Sequence, residues 1–141
     1  MFRWVYHASR AIFGGWWLYS GAMHFIDPAW QPMGQEPAAI AFTQALIDSG
    51  LFTWVKAIEI VLGLTILANR LMPLTIVALV PINLVIVYWN FVLEVGTVEY
   101  VFGGLSIFFN VVLAWPWRGH LWQLLSWRGR PAFSVFPVMP Y

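Results

Sequence analysis

The chain has no cysteine among its 141 residues, which excludes disulfides, thiolate metal sites and thiol chemistry. Charge is nearly as scarce. Only 9% of the residues are Asp, Glu, Lys or Arg and 61% are apolar, whereas roughly a quarter of a soluble domain is charged. A chain of this composition is solvated by lipid. The net charge of +1 comes with no basic patch apart from arginines flanking apolar stretches, which argues against nucleic acid as a partner. His7, His24 and His120 have no metal-ligand spacing, and none lies mid-span where a haem would need facing axial ligands. Phosphate loops, nucleophile elbows and helical zinc motifs are also missing.

The few charges alternate in sign between the apolar stretches. Arg3 and Arg10 precede the first stretch, and Asp27, Glu36 and Asp48 follow it. Arg70 follows the second, Glu94 and Glu99 the third, and Arg118, Arg128 and Arg130 the fourth. Cytoplasmic loops collect Lys and Arg. The pattern predicts an all-α bundle of four transmembrane helices with both termini cytoplasmic and two acidic loops on the far side. A helical span takes about 20 residues, so little chain is left for an extramembrane domain.

Span one is expected from about Ser9 to Phe25, ending at Asp27-Pro28 without a small-residue cleavage site, so it reads as a retained span. The loop that follows contains Pro37 at a first helical turn, then Ile40, Phe42, Leu46 and Ile47 among Gln44 and Asp48. That is a short amphipathic helix on the outer surface, closed by Ser49-Gly50. Spans two, three and four are expected at about 52–68, 74–93 and 98–115, with Pro81 kinking the third. Residues 1–116 form the transmembrane domain. Residues 117–141 form a cytoplasmic interfacial helix and an apolar, proline-containing tail, whose Phe133, Phe136, Met139 and Tyr141 are suited to docking on a partner.

Most of the ten tryptophans, Trp4, Trp30, Trp54, Trp89, Trp115, Trp117, Trp122 and Trp127 among them, fall near span ends and read as aromatic belts. Trp16 and Trp17 sit deeper, and at least one should face lipid or a partner. Gly14, Gly21, Gly63, Gly103 and Gly104 mark faces where helices approach closely, within the bundle or against another subunit.

An ionisable side chain inside a span is a functional hypothesis by default. Lys56 and Glu59, three apart, share one helical face. Glu59 lies ~10 Å below the outer surface at 1.5 Å per residue, too deep to snorkel, so it needs a partner or a proton. His24 and Asp27 end span one, and Asn90 ends span three. Together His24, Asp27, Lys56, Glu59 and Asn90 make either an internal polar network or a ligand pocket. Arg10, just inside the cytoplasmic end of span one, snorkels to the headgroups or pairs with a neighbouring carbonyl, with an anion or a quinone headgroup as the alternative contact. Asn83 and Asn110 are expected to form interhelical hydrogen bonds.

Several segments carry a family resemblance: Arg10-Ala-Ile-Phe-Gly14, Ser20-Gly21-Ala-Met-His24-Phe25, Ser49-Gly50-Leu-Phe, Ile58-Glu59-Ile-Val-Leu-Gly63-Leu, Asn69-Arg70-Leu-Met-Pro73-Leu and Val80-Pro81. In this order and spacing, over residues 10–115, the chain resembles the DoxX family of small four-helix membrane proteins. The resemblance implies a bacterial inner-membrane protein related to the small subunit of a quinol oxidase or of a thiosulfate:quinone oxidoreductase. Arg10, Glu59 and Pro81 match the family pattern by position. His24 stands where a Lys is common, and Asn90 near where a His is often found, so redox roles resting on those two positions do not carry over.

Two functions of different class follow. One is a cofactor-free accessory subunit that packs against a larger electron-transfer complex, or against further copies of itself. The other is a quinone- or small-ligand-binding protein with Glu59 passing a proton. The first is preferred because redox catalysis needs an electron carrier, and no ligand set for one is present.

Overall fold

The computed structural model describes residues 1–125, and their regular structure is helical throughout. In chain order the helices are α1 (Phe2–Ile26), α2 (Pro37–Asp48), α3 (Leu51–Ala68), α4 (Met72–Tyr88), α5 (Thr97–Ala114) and α6 (Arg118–Leu124). Three segments are long and apolar enough to cross a membrane: Leu51–Ala68, Met72–Leu93 and Thr97–Leu124. α1 has the length, at 25 residues, but Arg3, His7, Ser9 and Arg10 dilute its apolar character, and it is not among the three.

Sequence punctuation sets most helix ends. Pro37 opens α2, where its missing N–H is no loss, and Gly50 turns the chain into α3 with φ +75°. α3 ends at Asn69 in the left-handed region (φ 54°), and Leu71 (φ 54°) follows before Pro73 enters the first turn of α4. This short turn folds α3 and α4 into an antiparallel hairpin. α4 passes through Pro81 unbroken, although Val77 loses its hydrogen-bond donor there. A π turn follows at Trp89–Leu93.

The four long helices run alternately up and down, each packed on two neighbours in the order α1, α3, α4, α5 and back to α1. The tightest seam joins α1 to α3. Methyl groups built at Gly14, Gly21 and Gly63 would lie 2.8 Å from Ile66 Cγ2, 2.7 Å from the Lys56 carbonyl oxygen and 2.6 Å from the Leu18 nitrogen. Gly103 performs the same task on α5, against the Phe91 ring of the π turn, whereas Gly15 and Gly104 face open space. Phe13, Trp17, Leu62, Ile66, Met72, Ile76, Leu79 and Leu113 fill the centre. Phe13 stacks on Phe109 and Trp16 on Phe102 along the α1–α5 seam.

α2 closes one end of the bundle with Ala39 and Thr43 turned inward, Thr43 accepting from the Trp89 indole N–H at 3.2 Å. At the other end, the 3-10 turn Trp115–Trp117 leads into α6. There Tyr6 ties three elements together. Its hydroxyl donates to Asn69 Oδ1 at 2.6 Å and accepts from Trp117 Nε1 at 3.1 Å.

Candidate polar site at the α2 end

The buried ion pair is built from one helix face and one glycine. Lys56 and Glu59 are 6% and 5% exposed, on the face of α3 that meets α1. Gly21 lets the two backbones touch, and that contact presents the neighbouring Ser20 hydroxyl to α3. Lys56 Nζ donates to Glu59 Oε2 at 2.9 Å, to Glu59 Oε1 at 3.0 Å and to Ser20 Oγ at 2.9 Å. An ammonium has three donors, and all three are engaged. The Phe52 ring, 5.0 Å from Nζ, adds a cation–π contact. Gln31 is also buried, and its side-chain amide reaches the Ser20 carbonyl at 3.4 Å.

His24 stands beside this pair, one helical turn from Ser20. Its Nε2 shares a 3.1 Å hydrogen bond with Thr53 Oγ1, and its ring meets Phe25 and Phe52 edge-on. Its other nitrogen, Nδ1, is buried without a hydrogen-bond partner among the described residues.

Asp27 and Asn90 make no hydrogen bond with Lys56, Glu59 or His24. Asp27 follows the end of α1, is exposed, and caps the turn Pro28–Trp30 by accepting from Ala29 N at 3.2 Å. Asn90 is buried but donates back to the Ile86 carbonyl at 2.7 Å within its own segment. A shared end of the bundle does not bring side chains to one point when each sits on a different helix face. Arg10 is half-buried and makes no hydrogen bond to a described residue. The docking residues Phe133, Phe136, Met139 and Tyr141 lie outside the described residues.

A second buried acid lies outside the expected cluster, although the sequence puts it on the same outer side. Glu94, 4% exposed, accepts from the backbone N–H groups of Gln35 at 2.9 Å and Glu36 at 3.2 Å. It holds the loop before α2 against the end of α4, where Gly34 at φ +85° leaves no room for a side chain. Ser20 was also missed, although its position next to Gly21 was a usable signal. Asn83 meets expectation, accepting from Ser106 across the α4–α5 seam. Asn110 does not, since it donates to the Ser106 carbonyl one turn back on its own helix. No cluster of three or more His, Asp or Glu placed to hold a metal occurs among the described residues.

No protein-family model, curated protein or solved structure matches this chain, so the resemblance to the DoxX family rests on the motifs alone. What the fold and site define is a class: a protein whose regular structure is helical throughout the described residues, with three helices long and apolar enough to cross a membrane and, within one of them, a buried ion pair closed by a serine of a neighbouring helix.

Proposed function

We propose that this chain crosses a bacterial inner membrane four times, with both termini cytoplasmic, and serves as a cofactor-free, DoxX-like accessory subunit of a larger quinone-linked electron-transfer complex. The fourth span is α1. It pairs with α3 from end to end, from His24 against Thr53 to Tyr6 against Asn69. A helix matched along its length to a spanning one reaches the same depth. The orientation follows from Arg3, Arg10, Arg70 and Arg118 at one end and Asp27, Glu36, Asp48, Glu94 and Glu99 at the other.

The observation that carries the accessory reading is the closure of the Lys56 ammonium by Ser20 and both oxygens of Glu59. The buried ammonium is engaged in joining α1 to α3, while the outward faces of the helices are apolar and suited to lipid or to other membrane subunits. The resemblance supplies the class of partner. The test is the native mass and absorption spectrum of the tagged protein taken from its own membranes in mild detergent. Co-purification at fixed stoichiometry with larger haem- or flavin-bearing chains is expected. A colourless species of 16.2 kDa or a small multiple of it defeats the reading.

One observation favours a ligand at the α2 end instead. The buried, unpartnered His24 Nδ1 is a group that a quinone carbonyl could satisfy. Glu59→Gln separates the two readings. Lost assembly or stability fits the accessory subunit, and lost turnover in an intact complex fits the ligand site.

A further inference from the structure

The end of the bundle opposite α2 has cations and no side-chain anions. Arg3, Arg10, Arg70 and Arg118 lie there, all six carboxylate side chains lie elsewhere, and Lys56–Glu59 is the one salt bridge among the described residues. Two of these arginines flank a hollow of about 360 Å³ lined by Phe2, Arg3, Tyr6, Trp115, Pro116 and Arg118. A second hollow of about 240 Å³ shares Trp115 and Arg118 with it and runs past Val111, Leu121 and Leu125. Guanidinium groups therefore border a groove that is otherwise apolar.

One wall is tied to the rest of the bundle. Tyr6, held by Asn69 and Trp117, pins the Trp115–Trp117 turn to α1 and to the end of α3. Arg118 lies over the Trp115 ring, 5.2 Å from its centroid, and one of its N–H groups donates to the Trp115 carbonyl at 2.8 Å. Its other donors have no partner among the described residues.

We propose that this pair of hollows binds one anionic phospholipid, its phosphate between Arg3 and Arg118 and an acyl chain along Val111, Leu121 and Leu125. Charge complementarity selects an anion, and the apolar continuation selects one that carries a hydrocarbon chain. A free phosphate would leave that continuation empty. The inference rests only on the membrane-spanning part of the proposed function. A chain that purifies without a partner complex would defeat the accessory reading and leave this one open to test.

The experiment is native mass spectrometry of the full chain in detergent, titrated with phosphatidylglycerol or with phosphatidylcholine of equal chain length. One phosphatidylglycerol per chain is expected, favoured over phosphatidylcholine about 25-fold at about fivefold for each arginine near an anionic headgroup. Arg3→Gln and Arg118→Gln each reduce that preference about fivefold, Arg118→Lys retains most of it, and Arg70→Gln, outside the hollow, leaves it unchanged. Equal retention of the two lipids overturns the proposal, as does a preference that both Gln variants leave intact. Displacement of the lipid by millimolar inorganic phosphate overturns it in favour of a free-anion site.

Discussion

Gly63 of α3 lies so close to Leu18 of α1 that a methyl group at 63 would stand 2.6 Å from the Leu18 nitrogen and 2.9 Å from the Gly14 carbonyl oxygen. Both neighbours are backbone, so neither can rotate away. Gly63→Ala is expected to pry α1 from α3 and to cost about 1–3 kcal/mol, the usual penalty for overpacking. Gly104→Ala, which meets nothing within 4 Å, should carry no such cost and, inside α5, should raise stability by up to about 1 kcal/mol. Unfolding in mixed micelles, followed by tryptophan fluorescence, measures both.

The ion pair on the same seam predicts an asymmetric response. Glu59→Gln strips the counter-charge from a buried ammonium and should destabilise the protein by about 3 kcal/mol or more. Replacing both partners with apolar residues, Lys56→Met with Glu59→Leu, should cost much less, because no buried charge is left alone. The same micelle titration on Lys56→Met, Glu59→Leu and the double variant gives the coupling. A double variant that costs the sum of the two single variants would show that the pair contributes little.

Glu94 controls the loop before α2. Glu94→Ala removes the acceptor of two backbone N–H groups, and hydrogen bonds to a charged group are worth about 1.5–3 kcal/mol each. Amide hydrogen exchange at Gln35 and Glu36 is expected to accelerate at least tenfold, with exchange in the middle of α3 unaffected.

Tyr6→Phe leaves Asn69 Oδ1 and Trp117 Nε1 without their partner and should cost about 1–3 kcal/mol. Tyr88→Phe, at a position 53% exposed, is the matched control and should cost nothing measurable by thermal melting in detergent.

Local rules made the helices legible in the sequence. Pro37, Ser49-Gly50, Asn69 and Pro73 are punctuation read one residue at a time, and the three-residue spacing of Lys56 and Glu59 fixes their pairing within one helix. What stayed hidden depends on the rotation of one helix against another. Ser20 completes the ammonium's coordination only because Gly21 sets the approach of α1 to α3. Asp27 and Asn90 share an end with His24 and Glu59, yet one caps a turn and the other bonds back along its own segment. Pro81, the conspicuous helix breaker, leaves α4 continuous. The π turn at Trp89–Leu93 carries no proline or glycine.

That π turn has a consequence for chain length. A π turn accommodates one residue more than the α-helical path it interrupts, and one residue of helix is worth about 100° of rotation at 3.6 residues per turn. The extra residue sets the azimuth at which Glu94 leaves the bundle, toward the amides of Gln35 and Glu36. Deleting one residue between Trp89 and Leu93 would give α4 an uninterrupted helical frame and swing that carboxylate about a quarter-turn off the loop. The closed end of the molecule is thus a matter of phase, and a change in length would open it where many changes of side chain would not.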